Sequence, residues 1–414
     1  MSGIDPEAAR ILEGDLRRQR GNAVLIPSEN YASPAVLAAQ GSVMTNKYAE
    51  GYPGSRYYNG CEWMDAIESL VIERTKALFN AEHVNAQTHS GSQANVAAFQ
   101  ALLEPGDRIL SMQLSHGGHL SHGLAQNIAG KLYDVAFYGV EEETGRIDLN
   151  KVADLAESHR PRLIIVGGSA YPRLIDFAPW REIADSVGAH LLADIAHIAG
   201  LIAGGVHPSP FGHADVVTTT THKTLRGPRG ALVMCRADLA SAIDRAVFPG
   251  LQGGPFMHAM AARAVNLKEA MEPSFKEYAA QVVKNAAALA DGLLSAGFEL
   301  VSGGTDNHLM LVDLRKRPFS GKRAADRLEE AGIIVNRNSI PNDPRSPFVT
   351  SGLRPGSPAL TTRGMGESEM RFIAERMAAA VKQSTGEKGR AAIRAEVKEL
   401  CARFPIYPDI SYLS

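Results

Sequence analysis

Cysteine is nearly absent from this 414-residue chain, which holds only Cys61, Cys235 and Cys401. They are far apart and odd in number, so a disulfide framework and a cysteine-based zinc site have no basis, and a reducing cytoplasm is the expected setting. An excess of charge of one sign is missing too. The 43 basic and 45 acidic residues leave a formal charge of −2, so neither nucleic acid nor an anionic membrane is an expected partner, and any bound anion must be held locally. No apolar run is long enough to span a bilayer. The opening Met1-Ser2-Gly3-Ile4-Asp5-Pro6 has no basic stretch followed by an apolar one, so export is not expected. Internal repeats and low-complexity segments are lacking as well. What is present is length and a 45% hydrophobic content, enough for two or three domains with large cores.

Asp5-Pro6 opens a helical pattern with an apolar stripe of Ala9, Ile11, Leu12 and Leu16, read as an N-terminal arm. From Ile26 to Tyr58 the text is irregular and rich in Gly, Pro, Asn and Tyr, and such long stretches inside a compact chain are usually functional. A helix is expected over Glu62 to Phe79. Strand and helix patterns then alternate: Val84 to Gln87, Ser92 to Leu103, Arg108 to Met112, Leu163 to Val166, Trp180 to Val187, His190 to Asp194, and Val216 to Thr221. This alternation predicts a mostly parallel sheet covered on both faces by helices. Helical patterns over 256–268 and 277–294 lead into a smaller α+β domain. It has strands at 309–314 and 333–336 and helices at 322–331, 367–381 and 390–403. The expected organisation is an arm over 1–25, a large domain over 26–280 and a small domain over 281–414.

The stretch around Lys223 draws most attention. It follows the β-branched run Val216 to Thr221 and precedes Gly227-Pro228 and Arg229-Gly230, so it stands at a strand's end before a tight loop. A partly desolvated amine there loses some positive charge, which imine formation with an aldehyde requires, whereas a solvated loop lysine would do nothing. Thr88 to Asn95 lies between a strand and a helix, and its small residues let backbone N–H groups approach a phosphate; as a bare pattern it is better accounted for by an ordinary helix cap. Asp194 closes an apolar strand with His197 three residues later; it could pair with a protonated pyridine nitrogen or cap the next turn. His116, His119 and His122 invite a metal reading, but paired glycines, a spacing unlike a zinc signature and no nearby Cys or Glu weigh against it. A histidine packed on a ligand ring fits better. Glu50 stands among Tyr48, Tyr52, Tyr57 and Tyr58, where a carboxyl could exchange protons or simply face solvent. Arg354 offers a fork for a substrate carboxylate or for an ordinary ion pair.

Taken together, ten stretches stand in the order found in the serine hydroxymethyltransferase family. They are Ser28 to Tyr31, Thr45 to Tyr58, His89 to Asn95, Ser115 to Gly123, Gly168 to Arg173, Asp194 to Gly200, Thr218 to Gly230, Gln252 to Pro255, Ser302 to His308, and Thr361 to Gly364. The resemblance covers nearly the whole chain. It implies the aspartate-aminotransferase-like α/β fold (fold type I), with a mostly parallel seven-stranded sheet, a smaller α+β C-terminal domain and an N-terminal arm. Pyridoxal 5′-phosphate is the implied cofactor and tetrahydrofolate the implied co-substrate. Lys223 would carry the cofactor covalently, with Thr220 assisting. Ser90, Gly91 and Ser92 would bind its phosphate, joined by Tyr48, Gly253 and Gly254 of a neighbouring subunit. Asp194 would hold the ring nitrogen protonated, His119 would stack on the ring, Ser169 and His197 would contact its 3′-oxygen, and His222 would adjoin it. Arg354, with Ser28 and Tyr58, would grip the substrate carboxylate. Glu50, also from the neighbour, would manage protons. Tyr57, Leu114, Gly118 and Leu120 are implied at the substrate, and Asn338 and Phe348 at the folate. A homodimer with shared sites is implied, with a tetramer also possible, and no metal.

The chain departs from the family's usual pattern at Pro355 and Ser357, at Asn342, and at Pro27, Ser55, Asn59 and Thr88. Asn342 and Pro355 flank the implied folate and carboxylate positions, so preference for serine over α-methylserine or threonine stays open. A related carbon–carbon lyase or transferase on the same scaffold would share Lys223 and Asp194 and differ in folate use. A non-catalytic role such as RNA binding is disfavoured by the complete catalytic set.

Overall fold

The computed structural model describes residues 3–413 and divides them into two compact units. One is Asn30–Ala280; the other joins the residues up to Glu29 with those from Gln281 onward.

The first unit is built on a seven-stranded sheet, numbered here along the chain: β1 (His83–Asn85), β2 (Arg108–Met112), β3 (Asp134–Tyr138), β4 (Leu163–Val166), β5 (His190–Asp194), β6 (Val216–Thr220) and β7 (Ala231–Cys235). The spatial order is β1-β7-β6-β5-β4-β2-β3. Neighbours from β6 through β3 pair in parallel, and β7 runs antiparallel to both β1 and β6. The sheet is thus mostly parallel, as the alternating pattern predicts. All four residues of β4 are buried, as expected where helices cover both faces and the strand reads as a continuous apolar run. β6 is equally buried although three of its residues are threonines. Their hydroxyls are satisfied: Thr218 Oγ1 donates to Asn95 Oδ1 at 2.6 Å and Thr219 Oγ1 to the Thr220 carbonyl at 3.0 Å.

β2, β4 and β5 have the expected bounds, and the helix Glu62–Phe79 matches its pattern. β3 and β7 carried no expectation. β3 is an edge strand with only Tyr138 fully buried, so it shows neither alternation nor an apolar run. β7 is a short apolar run directly after a Gly-rich loop, which periodicity does not separate from a helix segment.

In the second unit the helix Pro6–Gly21 begins as its sequence signals, with Asp5 accepting from the Ala8 N–H and proline at the first position. Ala23–Val24 then pairs in parallel with Ile333–Ile334. A four-stranded antiparallel sheet runs Glu299–Leu300, Val312–Asp313, Gly352–Arg354, Asn336–Asn338. The strand expected over 333–336 is therefore split between two partners, its first half serving the chain's opening segment and the next residues the sheet. The run at 309–314 contributes only Val312–Asp313 as a strand, with Leu309 bridged to Gly356. Leu289, Leu293, Met310, Leu328, Ile373 and Val397 meet in the core. Arg363, from the Thr361 to Gly364 stretch, is buried and donates to the carbonyls of Gln19, Arg20, Asn22, Cys401 and Phe404. Its charge thus lies against the carbonyl-rich C-terminal ends of two helices, where a cation is favoured. No helix among the described residues is long and apolar enough to cross a membrane.

Candidate active site

Parallel strands bring their following loops to one edge, and ligands of open α/β sheets bind there. Five such loops carry many of the predicted residues of the first unit: Thr88 to Ser92 after β1, Leu114 to His122 after β2, Ser169 after β4, Asp194 to His197 at the end of β5, and Thr220 to Lys223 at the end of β6. Two of the loops are hydrogen-bonded to each other, since the Ser169 N–H donates to the Gly117 carbonyl at 2.7 Å. Gly118 admits no side chain, because a Cβ there would stand 2.2 Å from the Met112 carbonyl oxygen. Leu114 and Leu120, on the same loop, are exposed.

Ser90 is the N-cap of the helix Gly91–Leu102, its Oγ accepting from the Gln93 N–H at 3.4 Å. A Cβ on Gly91 would come within 2.7 Å of Thr220 Cγ2, so glycine lets the first helical turn lie directly against the end of β6. The N–H groups of that turn and the positive end of the helix are of the kind that can receive a phosphate.

Asp194 ends β5 with its carboxylate held on both oxygens. Oδ1 accepts from the Ala196 N–H at 3.1 Å, and Oδ2 from Asn95 Nδ2 at 2.9 Å and His122 Nε2 at 2.8 Å. Burial alone would push this carboxyl up, but the hydrogen bonds from His122 and Asn95 hold it well below the usual carboxylate range. His122 Nδ1 accepts from the His119 N–H at 3.4 Å, which leaves Nε2 as the donor toward Asp194. Asn95 also donates to Ser121 Oγ at 2.9 Å, and Ser121 Oγ meets His119 Nδ1 at 2.7 Å. One network therefore joins the carboxylate to the imidazole of His119.

Lys223 is half-buried. Its carbonyl accepts from Asn30 Nδ2 at 2.9 Å, and the adjacent Thr224 Oγ1 donates to the His197 carbonyl at 2.8 Å, tying the lysine loop to the loop after β5. Thr220 Oγ1 reaches the Ala196 carbonyl at 3.4 Å. His222 Nδ1 is buried without a hydrogen-bond partner, and burial, with the charges of Lys223 and Arg229, pushes this imidazole down to about 3 from its usual 6.5. The unfolded chain takes up that proton near pH 6.5 and the folded one does not until about pH 3. Stability present above pH 6.5 is therefore lost as pH falls through that window, by up to about 1.4 kcal/mol per pH unit. His222→Gln is expected to flatten this part of the stability curve, measured by denaturant unfolding of cofactor-free protein; an unchanged slope would assign the acid sensitivity to another group.

Tyr48, Glu50, Gly253 and Gly254 form a cluster of their own. The Tyr48 hydroxyl donates to Glu50 Oε1 at 3.1 Å, which together with the carboxylate's charge raises the Tyr48 pKa. Cβ atoms on Gly253 and Gly254 would meet Glu50 Oε1 at 2.8 Å and the Tyr48 ring at 3.3 Å. The Tyr48 and Tyr58 rings meet edge-on at 5.2 Å, and Tyr57 packs on Phe248 at 5.7 Å. Tyr48, Tyr57 and Tyr58 are all exposed, an aromatic surface beside a carboxylate.

Ser28, Asn338, Phe348 and Arg354 belong to the other unit. Arg354 and Asn338 lie on paired strands, with Asn336 opposite Arg354 and its Oδ1 accepting from Arg354 Nε at 3.4 Å. Burial pushes the Arg354 guanidinium down to about 10. Phe348 is 80% exposed on a loop organised by Asp343, whose carboxylate accepts from the N–H groups of Ile340, Arg345 and Ser351. Asn342 adopts φ +55, a left-handed conformation that asparagine tolerates better than bulky residues. The departure at 342 thus suits the backbone of this loop.

A family model described as serine hydroxymethyltransferase matches residues 1–377. The chain belongs to the serine hydroxymethyltransferase family. It is accordingly a pyridoxal-phosphate-dependent transferase of fold type I, and the seven-stranded sheet is that fold's. The serine hydroxymethyltransferase cofactor suits the residues found here. A largely enclosed, ionised Asp194 matches a protonated pyridine nitrogen, the Ser90 to Ser92 turn matches a phosphate, and the partnerless His222 Nδ1 awaits a polar neighbour. His122, Asn95 and Ser121 were missing from the sequence-based set. His122 and Ser121 lie in the histidine-rich stretch and Asn95 in the glycine-serine turn, so the motifs held them, but only pairing with Asp194, 72 and 99 residues away, gives His122 and Asn95 a task.

Proposed function

We propose that the protein catalyses the reversible reaction of serine with tetrahydrofolate to give glycine, 5,10-methylenetetrahydrofolate and water. The observation that carries this reading is the largely enclosed carboxylate of Asp194, kept charged by His122 and Asn95 at the edge of the sheet where Lys223 also lies. Pyridoxal phosphate, when bound, supplies an electron-withdrawing ring that lets the bond between the α and β carbons of serine break. Lys223 would hold that group through its amine, with Thr220 beside it. Asp194 would keep a proton on the ring nitrogen, His119 would pack against the ring, and Ser169 and His197 would adjoin its 3′-oxygen. Ser90, Gly91 and Ser92 bind the phosphate, and His222 borders the group next to Lys223.

Arg354, with Ser28 and Tyr58, holds the substrate carboxylate. Tyr57, Leu114, Gly118 and Leu120 shape the substrate's surroundings, and Asn338 and Phe348 those of the folate. Glu50 moves a proton at the serine hydroxyl. The close association of Glu50 with Tyr48, Gly253 and Gly254 on an exposed aromatic surface supports their acting as one group toward a neighbouring subunit of a homodimer.

The test is turnover of serine, α-methylserine and threonine, each with and without tetrahydrofolate. Serine is expected to be the preferred substrate and to yield glycine only with the folate present. Folate-independent cleavage of threonine or α-methylserine faster than the serine reaction would replace this reading with that of a related lyase.

A further inference from the structure

Glu50 sits at the root of a hairpin whose strands, Gly51–Tyr52 and Ser55–Arg56, are only two residues each. Strands this short hold a side chain poorly without other support. The support comes from Arg56. Its Nη1 donates to the carbonyls of Ala49 at 2.9 Å and Gly51 at 2.8 Å, the residues on either side of Glu50. Its Nε donates to Asp65 Oδ1 at 2.8 Å and its Nη2 to Glu68 Oε2 at 2.6 Å, both on the helix Glu62–Phe79. The Arg56 side chain is 4% exposed and that of Glu68 1%, so the fork is enclosed. Gln87 Nε2 reinforces it, donating to the Gly51 carbonyl at 2.8 Å and to Glu68 Oε1 at 2.7 Å. The carbonyl of Glu50 itself accepts from the Tyr57 N–H at 3.0 Å. Three consecutive carbonyls, those of residues 49, 50 and 51, are therefore tied down, and only the side-chain torsions of Glu50 remain to be set by Tyr48.

We infer that Arg56 is a positioning residue for Glu50: its guanidinium clamps the two carbonyls that flank the carboxylate-bearing residue and anchors them to Asp65 and Glu68. This rests on the assignment of Glu50 to proton movement made above. A lysine at 56 keeps the charge facing Asp65 and Glu68, but its single ammonium does not reproduce the planar fork that reaches both carbonyls and both carboxylates. Displacing a reacting group by about 1 Å costs about 100-fold in rate.

The experiment is a double-mutant cycle of R56K, E50Q and the pair, measured on the cofactor-loaded enzyme. Folding is checked by circular dichroism and serine binding by spectral titration. R56K is expected to fold and to bind serine as the parent does, while folate-dependent turnover falls about 100-fold. The double variant is expected to be no slower than E50Q alone, because Arg56 has nothing left to position. Should R56K fail to fold, Arg56→Gln serves instead. It removes the charge but keeps an amide donor facing Glu68, whose carboxyl burial pushes up. R56K with full turnover while E50Q is impaired would overturn the clamp and leave the Glu50 assignment standing. Losses that multiply in the double variant, or a parallel loss of serine binding, would make Arg56 a structural residue. E50Q with full turnover would remove the Glu50 assignment and the clamp with it, whatever R56K does.

Discussion

Lys223→Ala is expected to cut folate-dependent turnover of serine by on the order of 10⁵- to 10⁶-fold, the scale of loss when a group that bonds covalently in an enzyme's cycle is deleted. The residue stands at the end of a fully buried strand, and its loop is pinned by Asn30 to the Lys223 carbonyl and by Thr224 to the His197 carbonyl. Both of these bonds are made by the backbone or by neighbouring side chains, so alanine leaves them in place. The variant is therefore expected to fold, and the helix N-cap at Ser90 is untouched. Borohydride reduction of the parent protein with pyridoxal phosphate should fix the cofactor on the peptide containing Lys223, and the variant should show no such peptide. Turnover of the variant within tenfold of the parent, or a reduced cofactor found on another lysine, would remove Lys223 from its place in the reaction.

Glu50→Gln is expected to lower folate-dependent turnover by about two to four orders of magnitude, the span that a positioned acid or base contributes. The amide keeps the shape and accepts from the Tyr48 hydroxyl as the carboxylate does at 3.1 Å. It neither takes up nor delivers a proton. Serine binding, followed spectroscopically, should persist, since Lys223 and Arg354 are untouched. Because Glu50, Tyr48, Gly253 and Gly254 form one cluster, the substitution also tests which chain they serve. Mixed dimers of Glu50→Gln and Lys223→Ala chains should regain activity if each chain lends Glu50 to its partner. Verified mixed dimers without recovery would mean that each chain uses its own Glu50, and full turnover of the single variant would take the residue out of the chemistry.

Much of this protein could be read from local pattern. The strands 108–112, 163–166 and 190–194 are apolar runs flanked by turn residues, and a strand covered on both faces leaves that signature wherever it occurs. The placing of Lys223 and Asp194 at strand ends followed from the same reading, and the ordered motifs pointed to the family that the match over 1–377 establishes. β3 and β7 escaped because an edge strand need not be apolar and a five-residue apolar run has no distinctive period. The strand expected at 333–336 was one segment by its sequence and two by its partners, since pairing depends on what lies alongside.

The sequence by itself determined the central strands of the large sheet and the helix that precedes it, the strand-end positions of Lys223 and Asp194, and the family to which the chain belongs. Those properties depend on side-chain period, capping and turn chemistry within a few residues. Only the tertiary structure decided the charge of Asp194, the neutrality of His222 and the grip of Arg56 on either side of Glu50. Each of these is set by burial or by hydrogen bonds to residues 72, 99 or 12 positions away. Hydrogen bonds act over about 3 Å, so what they do to a carboxylate or an imidazole is fixed by which loops the strand order brings together, and no local pattern encodes that order.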